Sequence, residues 1–156
     1  VQKRQSSFLN ILAKIGGGKG YICNAIKKNR MDKKIINTDL APAPIGPYNQ
    51  AVQTGNLLFI SGQIALIPGT ETLNNASIAD ETHQVMKNLE AILKAQGLDF
   101  SSIIKTTIFL SGMEHFATVN EVYAQYFSGD HPARETVAVK GLPRNVNVEI
   151  SMIASI

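Results

Sequence analysis

Cysteine is nearly absent: among 156 residues only Cys23 carries a thiol. A single cysteine cannot form an internal disulfide and shows no metal-type spacing, so a reducing compartment is expected. No apolar run approaches the roughly 20 residues that a membrane-spanning helix needs. Histidines are few and scattered, at His83, His115 and His131. They form no His-x-Glu or His-Glu-x-x-His pattern, and no Cys-x-x-Cys exists, so a catalytic zinc is not expected. His83 reads as a surface residue of a long helix, His115 as a helix-start residue and His131 as a loop residue before Pro132. No serine occupies a G-x-S-x-G elbow. The cluster Gly16-Gly17-Gly18-Lys19-Gly20 fits neither G-x-x-x-x-G-K-[ST] nor G-x-G-x-x-G, so no cofactor or phosphate loop is expected there. Chemistry must come from Arg, carboxylate, Tyr and backbone groups.

Acidic residues are missing from one stretch altogether. Residues 1–30 hold seven basic side chains (Lys3, Arg4, Lys14, Lys19, Lys27, Lys28, Arg30) and no Asp or Glu. Subtracting these seven from 15 Lys and Arg leaves eight against all 12 Asp and Glu, so the remainder carries a net charge of −4. The basic pI thus belongs to the first segment alone. The acidic remainder argues against nucleic acid as its main partner, because phosphate binding needs a basic surface. Residues 1–30 are expected to lie outside the fold, as translated sequence upstream of a start at Met31 or, alternatively, as a targeting arm. The 44% hydrophobic and 17% charged content fits one globular domain over residues 31–156.

Local patterns are readable from Lys33 onward. A short strand is expected at 34–36, followed by an extended loop, Ala41-Pro-Ala-Pro-Ile-Gly-Pro47, because each X-Pro step disfavours helix. Strands at 51–54 and 57–64 flank Gly55-Asn56, a hairpin signal. Ser77 caps a helix, with Asp80 as its capping-box partner. Ile78, Val85, Met86, Leu89, Ile92 and Leu93 form its apolar stripe, and Gly97 ends it. A strand at 103–110 is followed by a second helix at 113–127, which should bury Phe116, Val119, Tyr123, Tyr126 and Phe127. Strands at 136–139 and 147–155 close the chain. This order predicts an α/β (α+β) layer, one sheet with two helices on one face. The other face, with residues such as Phe59 or Val148, would be left wet, so an oligomer is expected.

The segment His131-Pro-Ala-Arg-Glu-Thr-Val-Ala-Val-Lys-Gly-Leu-Pro-Arg-Asn-Val-Asn-Val-Glu-Ile-Ser-Met-Ile-Ala154 is the most informative. Arg134 enters an apolar strand and should be partly buried. Glu149 lies between Val148 and Ile150 and, by alternation, shares a face with Asn147 and Ser151. From spacing alone, Arg134 and Glu149 are either a structural salt bridge or a site that takes an anion.

This segment resembles the signature of the RidA family (also called YjgF/UK114), the 2-iminobutanoate/2-iminopropanoate deaminases. Ile45-Gly-Pro-Tyr-Asn-Gln-Ala51, Phe59-Ile-Ser-Gly-Gln-Ile64, Ile104-Lys-Thr-Thr-Ile-Phe-Leu110 and Phe116-Ala-Thr-Val-Asn-Glu-Val-Tyr123 resemble further family motifs in the right order. The likeness spans residues 31–156, and residues 1–30 have no counterpart. It implies a chorismate-mutase-like fold (bacillus type), a homotrimer with clefts between subunits, and a cytoplasmic enzyme, or a mitochondrial one if the arm is a transit segment. It implies hydrolysis of 2-aminoacrylate and 2-aminocrotonate, through their imine tautomers, to 2-keto acids and ammonia, without a cofactor. By resemblance Arg134 binds the substrate carboxylate, which suits a planar, permanently charged guanidinium. Glu149 positions or activates water, and Tyr48, Ser61, Gly62 and Asn120 line the cleft. Thr136 stands where relatives often have Cys, and there the backbone is the expected contributor. Two rival classes are an RNA-directed translation inhibitor, favoured only by the basic arm, and a non-catalytic chaperone-like trimer.

Overall fold

A computed structural model of the chain describes residues 32–156; Cys23, the glycine cluster and the basic arm lie outside the described residues. Six strands, β1 (Lys33–Ile36), β2 (Ala51–Thr54), β3 (Leu57–Gln63), β4 (Ile103–Leu110), β5 (Ala133–Ala138) and β6 (Val148–Ser155), form one sheet. Their order is β1-β2-β3-β6-β4-β5. All neighbours are antiparallel except β4 and β5, which run parallel. Helix α1 (Ile78–Lys94) follows β3, and α2 (Phe116–Ala124) forms the crossover from β4 to β5. The two-residue link between β2 and β3 works because Gly55 takes φ 58°, a left-handed geometry that costs glycine least.

The sequence explains α1 well. Ser77 Oγ accepts from Asp80 N at 3.1 Å and donates to Asp80 Oδ2 at 2.6 Å. These bonds satisfy one of the free donors at the helix start. Val85, Met86, Leu89, Ile92 and Leu93 are fully buried, while Ile78 packs at the edge of the core. Burying such a side chain stabilises the fold by about 1.5–3 kcal/mol. Gly97, at φ 69°, and Leu98 donate to the carbonyls of Lys94 and Leu93 and end the helix.

The second helix is shorter than its apolar pattern predicts. Residues Met113–His115 form a 3-10 turn with no side-chain cap, and α2 stops at Ala124. The chain then tightens, with Tyr126 and Phe127 bonding back three residues to Tyr123 and Ala124. Val119 and Tyr123 are buried as expected, but Phe116 remains 37% exposed. The fifth strand also begins earlier than 136, at Ala133. It is an edge strand whose Arg and Glu resemble loop composition.

Register fixes the two faces of the sheet. Val148, Ile150, Met152 and Ala154 are buried beside Leu58, Ile60, Ile108 and Leu110. Val148 therefore belongs to the helix-covered face, not the wet one, because β6 alternates strictly. Phe59 does lie on the open face, 42% exposed. It belongs to a cross-strand row running Ile35–Val52–Phe59–Ile153. Ile35 at 47% and Val137 at 43% extend this apolar open surface, larger than scattered single residues would make.

Candidate functional site

Two hollows divide the expected site residues. The first, about 340 Å³, is lined among others by Ile45, Tyr48, Ser61, Gly62, Leu66 and Glu149. Its base is the junction of β3 and β6, and its rim is the Pro-rich loop. Gln50 secures that loop: its Oε1 accepts from Thr38 N at 2.6 Å, and its Nε2 donates to the carbonyls of Thr38, Ala41 and Pro42. Tyr48 Oη accepts weakly from Ile45 N at 3.3 Å, leaving its own hydroxyl proton free. Ser61 Oγ donates to Asn49 O at 2.6 Å, so its proton is already committed and it meets a ligand chiefly as an acceptor.

Glu149 reaches this hollow through strand alternation. Among the described residues its carboxylate has no ion-pair or hydrogen-bond partner, and burial pushes its carboxyl pKa above the ordinary glutamate value. Gly62 lies directly beneath it. A Cβ at that position would overlap Glu149 Oε1 and come 2.8 Å from its Cδ. Any larger residue must displace the carboxylate, since that contact is tighter than packed atoms tolerate. Gly62→Ala is accordingly expected to lower by at least about tenfold any turnover that depends on the Glu149 carboxylate, while the protein stays folded, because an ångström of misplacement costs such steps rate. Unchanged turnover in that variant would show that the Glu149 position is immaterial.

The second hollow, about 400 Å³, is lined by Asn120, Tyr123, Ala124, His131, Pro132 and Arg134. Arg134 pairs in register with Thr106, whose Oγ1 accepts from Tyr123 Oη at 3.0 Å. The guanidinium therefore lies on the helix side of the edge strand, 5.0 Å from the Tyr123 ring centroid and 6.0 Å from that of Phe116. Arg134 is exposed, not partly buried as expected, because nothing among the described residues covers the outer side of β5. No acid pairs with it among the described residues. Thr136 lies on the same side, opposite Ile108, and its buried Oγ1 has no hydrogen-bond partner.

Arg134 and Glu149 thus project from opposite faces of the sheet, with β4 between their strands. Within one chain, topology rules out the salt-bridge alternative. Within one chain the structure brings Tyr48, Ser61, Gly62 and Glu149 together, and separately Asn120 and Arg134.

The family model described as Endoribonuclease L-PSP matches residues 38–156. The chain belongs to this family, the RidA (YjgF/UK114) family. A curated mouse (Mus musculus) relative named 2-iminobutanoate/2-iminopropanoate deaminase is 48% identical over 122 residues, 78% of this chain and 90% of that one. Reactive Intermediate Deaminase A, chloroplastic, of Arabidopsis thaliana is 46% identical over 132 residues, covering 85% and 71%. The crystal structure of E. coli TdcF with bound serine matches with a TM-score of 0.75 at 42% identity, covering 79% of this chain and 98% of that one. The six-strand mixed sheet with two helices on one face is the layout that the family resemblance implied.

Some lining residues were not anticipated in this RidA-family chain. Ile64, Leu66 and Pro143 wall the first hollow, but in sequence they are ordinary apolar residues of a strand end and loops. His131 does lie in a loop, yet it also lines the Arg134 hollow and stacks on Phe127 at 5.8 Å. His83 is half-buried instead of a plain surface residue, with Nδ1 2.9 Å from Tyr126 Oη. No sequence spacing signals these long-range contacts.

Proposed function

We propose that the protein hydrolyses reactive 2-imino acids and their enamine tautomers to 2-keto acids and ammonia, in clefts where the Arg134 hollow of one copy faces the Glu149 hollow of the next. One observation carries this reading: a guanidinium and a desolvated carboxylate, each unpaired among the described residues, occupy opposite faces of the same sheet. A single chain cannot bring them to one substrate, whereas a ring of copies can. The exposed apolar row through Phe59 supports such an assembly, since small sheets bury their second face against another subunit. A homotrimer is the proposed ring. The names of the mouse and Arabidopsis relatives favour the same chemistry.

In this mechanism Arg134 clamps the substrate carboxylate with a charge-assisted fork. Asn120 and Thr136 border that end, while Tyr48, Ser61 and Gly62 border the reacting end. Water held by Glu149 adds to C2 of the protonated imine, and its proton passes to the Glu149 carboxylate. The same proton then goes to the amine nitrogen of the carbinolamine. The C–N bond breaks, ammonia leaves, and the remaining hydroxyl gives up its proton to form the 2-keto acid. Orientation and polarisation suffice for this chemistry, so the proposal needs no cofactor. The cytoplasm is the proposed location.

A coupled assay tests the activity. Threonine dehydratase supplies 2-aminocrotonate, and release of 2-ketobutyrate is timed with and without the protein. Acceleration proportional to protein concentration is expected; none would contradict the proposal. The family description Endoribonuclease L-PSP favours an RNA-directed reading, but the net charge of −4 on residues 31–156 opposes it.

A further inference from the structure

A buried acid behind the sheet is hydrogen-bonded to the start of the strand that carries Glu149. Glu81, in the first turn of α1, is fully buried. Its Oε1 accepts from Asn147 N at 2.6 Å and Val148 N at 2.9 Å, and its Oε2 accepts from Asn147 Nδ2 at 3.0 Å. The need for these bonds follows from the topology. The final register pair between β3 and β6 is Gln63↔Ile150, so β3 offers no partner to Asn147 or Val148. On the other side β4 is in place: Ser111 N donates to Asn147 O at 3.0 Å, and Ser111 Oγ to Asn147 Oδ1 at 2.8 Å. Glu81 therefore supplies the acceptor that a longer β3 would have offered to the buried Val148 N–H, and holds the Asn147 N–H with the same oxygen.

We propose that Glu81 is a positioning residue for Glu149, fixing from the helix side the backbone that sets the Glu149 carboxylate against Gly62. This inference rests on the reading that Glu149 holds the attacking water. The Glu149 side chain has no hydrogen bond of its own among the described residues, so its position depends on the β6 backbone and on contact with Gly62. Only one residue separates Val148, held by Glu81, from Ile150, where pairing with β3 resumes. Slack at Asn147–Val148 consequently moves the carboxylate directly.

The test measures kcat and KM for 2-aminocrotonate hydrolysis in Glu81→Asp, Glu81→Gln, Glu149→Gln and the Glu81→Asp/Glu149→Gln double variant, with thermal unfolding of each. Glu81→Asp keeps a carboxylate but withdraws it by one methylene. It is expected to lower kcat about tenfold with KM unchanged within about twofold, since small misplacement of a reacting group costs rate. Glu81→Gln should keep kcat within about threefold, because the Asn147 amide can turn over, accept from Gln Nε2 and donate to Ser111 Oγ. In the Glu149→Gln background Glu81→Asp should cause no further loss, the non-additivity expected of residues acting through one another. Should Glu81→Asp fail to fold, Asn147→Ala carries the same test, with a loss of about threefold alone and none beside Glu149→Gln.

A Glu81→Asp variant with a lower Tm but normal kcat would overturn the positioning role, as would losses that multiply in the double variant. If Glu149→Gln is slow while Glu81→Asp is not, only the positioning role fails. If Glu149→Gln itself turns over normally, the reading of Glu149 fails and the positioning role falls with it.

Discussion

Replacing Arg134 with alanine is expected to lower kcat/KM for imine hydrolysis by about two to three orders of magnitude, from the ~2–5 kcal/mol lost when a charged contact in a desolvated cleft is removed. Folding should survive. Among the described residues the guanidinium is exposed and unpaired, and its ring contacts are to Tyr123 and Phe116. Its removal leaves no buried charge behind, so thermal stability should move little. Arg134→Lys keeps the positive charge but loses the two-pronged fork, and should recover only part of the rate. Near-normal kcat/KM in Arg134→Ala would remove the carboxylate clamp from the account.

Glu149→Gln is expected to reduce kcat by about 10²–10³-fold, within the usual contribution of a positioned acid–base group. Its pH behaviour makes the prediction specific. Burial raises the Glu149 pKa above the ordinary 4.5, because the charged form loses solvation. The acid limb of kcat/KM in the parent protein should therefore lie above 4.5 and disappear in Glu149→Gln. Stability should change in the opposite sense. The fold favours the protonated acid, so the parent loses stability relative to Glu149→Gln as pH rises from 4.5 through the folded-state pKa. Below 4.5 the difference between the two should no longer change with pH. Unfolding curves across this window check the sign, and a parent that gains stability over Glu149→Gln with rising pH would contradict the desolvated-carboxylate picture.

Features set by neighbouring residues were legible in the sequence. Ser77 and Asp80 marked the start of α1, its stripe marked the buried face, and Gly97 marked the stop. The β2–β3 link at Gly55 was equally local. Features set by distant residues were not. Whether Val148 faces helices or solvent depends on the register of β6 against β3 and β4, which no single strand encodes. Arg134 was expected to be partly buried because its neighbours in sequence are apolar, yet burial depends on what covers an edge strand. Glu81 reads in sequence as an acid favouring a helix N-terminus. Its bonds to residues 66 and 67 positions away leave no local trace. The family motifs supplied the candidate site residues, but only the fold separated them into two hollows.

Mixing subunits tests the two-copy cleft most directly. Arg134→Ala and Glu149→Gln proteins are unfolded together, refolded at equal concentrations, and assayed beside each variant refolded alone. Random assembly of a cyclic oligomer gives about one cleft in four an intact Arg134 from one copy and an intact Glu149 from the next. About a quarter of the parent activity should therefore return from two nearly inactive proteins. If the mixture is no more active than its components although mixed oligomers have formed, both groups serve the same chain and the shared cleft is wrong.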